Sequence, residues 1–310
     1  MVLSRRQFVG ICAVAGISAC TRTGTMSGDA NVIAWGQRGL RDGEFTYPRA
    51  VGVSGEEVYI GDKSGRIQVF SLDGQFLRKW SMPNHDNGTP TGISFTSSGD
   101  VVIPDTHYSR VITFSREGTV LHQWGSYGTS EREFVYPTDV ALDSDGTHYF
   151  SEYGVDAERL HVFDRGGSFV RQWGRFGEGP GEFNRAMSIQ IAEDGLVYVG
   201  DTANHRVQCF DKQGGLVRVI GGPGKESGQL TFPHAISCPG DGTLLVCEYG
   251  NNRISRFTLD GKYIGGFGGP GRGVGAFAAP RGIRTHAKQW AYVADTENHR
   301  VQRIALGEIG

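Results

Sequence analysis

The feature that most constrains this chain is a phrase that returns six times. A short apolar run ends in an acidic residue at Asp62, Asp105, Glu152, Asp201, Glu248 and Asp295, in steps of 43, 47, 49, 47 and 47 residues. Each acid is followed by an arginine that opens another apolar run: Arg66, Arg110, Arg159, Arg206, Arg253 and Arg300. Ahead of the acid lies a turn signal such as SSGD, DSDGT or GDGT. Ahead of that lies a strand entered through Pro48, Pro90, Pro137, Pro233 or Pro280, with Ala186 in that place in the fourth copy. A period of this length, made of short segments between turn residues, signifies an array of like supersecondary units.

Each unit offers four strands, for example HAISC, LLVCE, RISRF and YIGGFG in the fifth. Four short antiparallel strands cannot bury both of their faces alone. Stacked radially, each sheet covers the next, so the expected fold is all-β, a six-bladed β-propeller of four-stranded antiparallel blades. The 48 glycines and the absence of a long helical-period segment agree.

The fourth strands end at Trp80-Ser81, Trp124-Gly125, Trp173-Gly174, Ile220-Gly221 and Phe267-Gly268, five endings for six units. The sixth unit stops after VQRIAL. The missing ending stands at the other terminus, in NVIAWG (31–36). The last blade is therefore expected to be completed by an N-terminal strand that closes the ring.

With these residues in view, DTANHRVQCF, EYGNNRISRF and DTENHRVQRI resemble the NHL repeat, over essentially all of 31–306. The resemblance implies the same propeller and leaves function open, since this architecture carries many chemistries.

The first residues read as an address. SRRQFVG precedes VGICAVAGISA, an apolar run of 11 residues that is too short to span a bilayer. The arrangement resembles a bacterial twin-arginine export signal, and ISAC resembles a lipoprotein cleavage site with Cys20 as the lipidated residue and Ile17 in place of the usual Leu. The organisation expected is a signal over 1–19, a tether over 20–30 and the propeller over 31–310. That arrangement holds the domain at the periplasmic or cell-surface side of a bacterial membrane. Loss of residues 1–19 removes two arginines and no acid, taking the net charge from −2 to −4. This opposes RNA binding, which some NHL propellers perform. Cys209, Cys238 and Cys247 have no metal-ligand spacing, and a disulfide between any two stays open.

In an up-and-down blade, the 4→1 and 2→3 connections share one face. Here they are the longer connections, and a ligand face is expected there. Around its central opening should stand the residues that follow each proline position: Arg49, Thr91, Thr138, Met187, His234 and Arg281, with Asp139 beside Thr138. Two further candidates are the matching EYG phrases, Glu152-Tyr153 and Glu248-Tyr249. The acid–arginine pairs themselves are expected to brace the 2→3 turns, with carboxylate and guanidinium paired two-pronged. His205 and His299 fall in the repeated phrase and read as loop residues.

Two functions follow. The first is a monomeric binding or scaffold module for a protein, peptide or carbohydrate, needing no cofactor. The second is a propeller lyase or hydrolase with a divalent metal in the channel. The resemblance brings in the amidating lyase of the same repeat class, whose zinc is held by three histidines placed after proline. Only Pro233-His234 keeps that pattern here, while Arg49, Thr91, Thr138, Met187 and Arg281 fill the other places. Streptogramin-lyase-like and gluconolactonase-like chemistry stays open by analogy of fold.

Overall fold

The structure is a computed structural model that describes residues 27–28, 31–154 and 157–310. The signal at 1–19, the lipidation site Cys20 and most of the tether lie outside the described residues.

Six sheets surround one axis. Blade 1 comprises Pro48–Ser54, Glu57–Asp62, Arg66–Ser71 and Phe76–Ser81, paired in sequence order and antiparallel throughout. Blades 3, 4 and 5 repeat this pattern from Tyr136, Ala186 and Pro233. The first strands of successive blades touch each other around the axis. The second strands are wholly or almost wholly buried, because a neighbouring blade covers each face. The fourth strands, such as Phe76–Ser81, alternate between half-buried and exposed. The face bearing the 4→1 and 2→3 connections is called the upper face below, and the other the lower.

Blade 6 consists of Gly282–His286, Trp290–Asp295, Arg300–Ala305 and Val32–Trp35. Val32 pairs with Ile304 and Trp35 with Val301, so the N-terminal strand is the blade's fourth. Trp35 is 2 % exposed and packs on Phe70 of blade 1 and Tyr292 of blade 6, with ring centroids 6.0 and 6.3 Å away. Gly36 turns the chain away at φ 95°, where a Cβ would strike the Phe45 ring at 2.4 Å. Within the stretch read as tether, Ser27–Gly28 pairs along the outer side of Val32–Trp35.

Blade 2 departs from the expected regularity. Its first strand is only Ser94–Phe95. Pro90 supplies no N–H to a ladder, Thr91 Oγ1 donates to the Thr138 carbonyl instead, and Gly92 lies so close to Asp139 that a Cβ would meet Oδ1 at 2.4 Å.

All six acid–arginine pairs form. The two-pronged carboxylate pairing does not. One guanidinium nitrogen meets the carboxylate, and the others donate mainly to carbonyls of the preceding 4→1 loop, as from Arg206 to Gly179 and Glu182 and from Arg300 to Arg272 and Ala276. The arginine thus ties two loops rather than one turn. In blade 2, where that loop is different, Arg110 reaches the Asn84 side chain.

The loop residues of blades 3 to 6 also latch their blade to the next. His205 Nδ1 accepts from the Phe232 amide at 3.1 Å and His299 Nδ1 from the Tyr47 amide at 3.2 Å, the latter across the ring closure. Asn252 does the same for Ala279 and Glu158 for Arg185. Burial lifts the Glu158 carboxyl from 4.5 to about 7. Because this raises the folded-state value, the folded form holds an extra proton between those two limits. Stability is accordingly greatest at the acid end of that window and declines as pH rises through 7. Thermal unfolding at pH 5 and pH 8 should show the decline in the native chain and a smaller one in Glu158→Gln; equal declines would assign the slope elsewhere.

Candidate functional site

The upper mouth of the axis holds a pocket of about 400 Å³. Its wall brings together Arg49, Met187, His234, Arg281, Tyr153 and Tyr249, all singled out from the sequence. Thr91 joins them, as do six residues that sequence reasoning passed over: Thr106, His107, Arg185, Thr202, Ala203 and Phe232. The first strands deliver Arg49, Met187 and His234, while the 2→3 turns deliver His107, Tyr153 and Tyr249. Arg185 precedes the proline-equivalent Ala186 and has φ 61°, which turns its side chain to the rim. Nothing in the repeat marks it or His107, because the other copies hold unrelated residues at these places.

The other sequence candidates lie elsewhere. Thr138 is fully buried and bonds the Ala186 carbonyl at 2.7 Å. Glu152 and Glu248 are fully buried with their arginines. For Glu248 the extra methylene has a local cause. In blades 4 and 6 the Asp carboxylate meets a long Gln (Gln208, Gln302) at 3.0 Å, whereas in blade 5 Glu248 reaches the short Ser255 at 2.6 Å.

Asp139 is buried in the channel and is not part of the pocket wall. Both its oxygens accept from Arg284 Nη2, at 2.8 and 2.9 Å, and Ser188 Oγ donates to it at 2.9 Å. Asp139 belongs to blade 3 and Arg284 to blade 6, directly across the axis. This ion pair bridges the channel, and a smaller cavity of about 200 Å³, partly lined by Arg284 itself, lies on its lower side. The sequence did not single out Arg284.

The pocket's charge is one-sided. Arg49, Arg185 and Arg281 line it, and among the described residues no carboxylate does. Among the described residues no oxygen accepts from any of these guanidinium groups, and Nε of Arg49 and of Arg281 is buried without a partner. Arg281 lies over the Tyr249 ring at 4.7 Å and Arg185 over Tyr153 at 5.4 Å, so ring faces offset part of their charge. Burial and the neighbouring Arg281 charge bring Arg49 down to about 10, still charged at neutral pH. Burial, then Arg281 and Arg49, hold His234 down at about 3. Its Nδ1 lies 2.9 Å from the Arg281 carbonyl and must donate to it, which leaves Nε2 as an acceptor. His107 is likewise lowered by burial and Arg49. The wall therefore offers cations, neutral imidazoles, phenols and threonine hydroxyls. Such a donor set does not fit a divalent metal, which would stand among three guanidinium groups. No group of three His, Cys, Asp or Glu side chains among the described residues is placed to hold one.

The NHL repeat family model matches residues 183–210, which run from the loop before blade 4 to the end of its third strand. The chain is a six-bladed β-propeller that carries an NHL repeat at this place. A 95-residue segment of the propeller is 30 % identical to Protein brain tumor of Drosophila melanogaster; it makes up 29 % of this chain but 9 % of that protein. Among solved structures, the propeller is similar to virginiamycin B lyase from Staphylococcus aureus, with 17 % identity, a TM-score of 0.60, and coverage of 84 % of this chain and 95 % of that one. It is also similar to an auxiliary nutrient binding protein from Bacteroides thetaiotaomicron, with 13 % identity, a TM-score of 0.62, and coverage of 84 % and 69 %. A protein of unknown function from the same organism superimposes with a TM-score of 0.71 at 15 % identity over 89 % and 75 % of the two chains. At such identities these likenesses establish the fold.

Proposed function

We propose that the propeller is a binding module that captures an anionic group, a carboxylate or phosphate on a peptide, protein or carbohydrate, in its upper axial pocket. The twin-arginine and lipoprotein features read from the sequence support display of this module from a membrane surface outside the cytoplasm. The observation that carries the reading is the trio of guanidinium groups with no carboxylate among them in the described residues. Leaving like charges unpaired beside one another is unfavourable, and an anion relieves it through charge-assisted bonds. The nutrient-binding neighbour supports a role of this general kind.

Titration calorimetry with small carboxylates, phosphate esters and uncharged analogues tests the proposal. Anions should bind, more weakly as salt rises. Arg49→Gln with Arg281→Gln should lower their affinity by about 10- to 100-fold, some 1.4–2.8 kcal/mol. Equal affinity for uncharged analogues, or none of these anions bound, overturns the reading. Metal analysis addresses the lyase alternative, with no stoichiometric divalent ion expected.

A further inference from the structure

The seam between blades 2 and 3 is unlike the other five. At those five an arginine crosses to a backbone carbonyl of the next blade, just past its third strand. Arg78 reaches Arg116 and Arg171 reaches Lys212, both at 2.8 Å; Arg218 reaches Leu259; Arg256 reaches Leu306 at 3.1 Å; and Arg303 reaches Leu72 at 3.4 Å. These arginines occupy two registers, one on the third strand and one on the fourth. Blade 2 has Thr113 and His122 there, and neither bonds across.

Packing fails at the same place. At four seams the glycine of the next blade's 3→4 turn presses on the end of the fourth strand. A Cβ on Gly74, Gly118 or Gly214 would meet Trp35, Trp80 or Trp173 at 2.5–2.9 Å, and one on Gly261 would meet Ile220 at 3.2 Å. Gly167, opposite Trp124, has nothing within 4 Å. The buried apolar cluster of this seam has six residues, against nine to twelve at the others.

Two adjoining cavities of about 440 and 200 Å³ occupy the gap and share Thr96, His148 and Arg165. The larger is lined by 1→2 and 3→4 turns and so opens on the lower face, while the smaller continues along the outer edge of the seam past His122 and Trp124 to Arg132 of the 4→1 loop; none of their lining residues belongs to the axial pocket. Trp124 forms one wall, with Arg132 above its ring at 5.4 Å. The Arg165 guanidinium has no hydrogen-bond partner among the described residues. Asp143, the one acid in the lining, is neutralised by Lys212 at 2.8 Å. Hydroxyls of Thr96, Ser97 and Thr113 complete the surface.

We propose that this seam is a second binding site and that it takes an acidic saccharide. The sugar's apolar face lies on Trp124, its carboxylate meets Arg165, and its hydroxyls meet the serine and threonine side chains. An aromatic wall with a few convergent polar groups is the general form of a small-ligand pocket, and a planar carboxylate matches a free guanidinium. The site exists because blade 2 lacks the strap found at the other five seams and because the Gly167 turn of blade 3 stands off Trp124.

The test is calorimetric titration of the purified chain with galacturonate, glucuronate and mannuronate oligosaccharides, with neutral galactose oligomers as the control. At least one uronate should bind with a Kd below about 1 mM, and the neutral oligomers more weakly. Arg165→Gln, at an exposed position, should weaken uronate binding about tenfold without changing the fold. His122→Arg supplies the missing strap at the register of Arg78, Arg171 and Arg218. It should raise the Tm and close the cavity, lowering uronate affinity at least about tenfold. No uronate bound below that limit, neutral oligomers bound as tightly, or His122→Arg binding as the native chain does would each overturn the proposal.

Discussion

Trp35→Ala is expected to lower the unfolding free energy by about 3–5 kcal/mol, the range for deleting a large buried aromatic side chain. Trp35 is nearly as buried as a central core residue although it belongs to the outermost regular strand of its blade. Its indole fills the space between blades 6 and 1 against Phe70, Tyr292 and the Gly74 turn. The strand that carries it is held to the rest of blade 6 by one ladder, to Arg300–Ala305. Losing the ring thus loosens a strand joined to its blade only through non-local pairing. Urea unfolding followed by circular dichroism measures the effect, with Leu77→Ala as the control at an exposed fourth-strand position. A loss of less than about 1 kcal/mol for Trp35→Ala would mean that ring closure does not depend on that strand.

The second large effect is expected within the channel. Asp139→Ala leaves the Arg284 guanidinium largely buried with only the Ile236 and Ile283 carbonyls as partners, and should cost about 3–5 kcal/mol. Arg284→Met should cost somewhat less, because Asp139 keeps the Ser188 hydroxyl and the Ile189 amide. The double variant should recover much of the loss, since removing a buried pair together avoids the lone charge. A double-mutant cycle measures this coupling. Single variants within about 0.5 kcal/mol of the native chain would show that the pair bridging the axis contributes little.

How far the sequence could be read follows from what repeats and what does not. Six acid–arginine pairs at regular steps imposed the blade number. The count of fourth-strand endings located Val32–Trp35 in blade 6, because backbone pairing is periodic. The residues after the proline positions in four blades, Arg49, Met187, His234 and Arg281, stand on the wall of the axial pocket. That register failed for Thr138, whose short side chain is held by Ser151 and the Ala186 carbonyl and so faces blade 4 instead of the axis. Arg185, His107 and Arg284 carry no periodic signal. Their roles come from facing other blades across the axis, over separations such as the 145 residues between Asp139 and Arg284. The seam between blades 2 and 3 was illegible for a related reason. It is defined by what Thr113 and His122 are not, and that shows only once Arg78 and its counterparts are seen crossing the same seam in other blades.

The meeting of the two chain regions in blade 6 has one more consequence. Asn31 Nδ2 donates to Glu308 at 2.9 Å, and the Asn31 carbonyl accepts from the Ala305 amide at 2.8 Å. The geometry there is that of an ordinary 3→4 turn with its covalent link cut. A circular permutant in which 31–36 follows 310 through a short glycine-containing connector, with the new start at Gln37, should therefore adopt the same toroid. In such a chain each blade would be written contiguously, and the order of its parts along the polypeptide would become a matter of where the loop is opened.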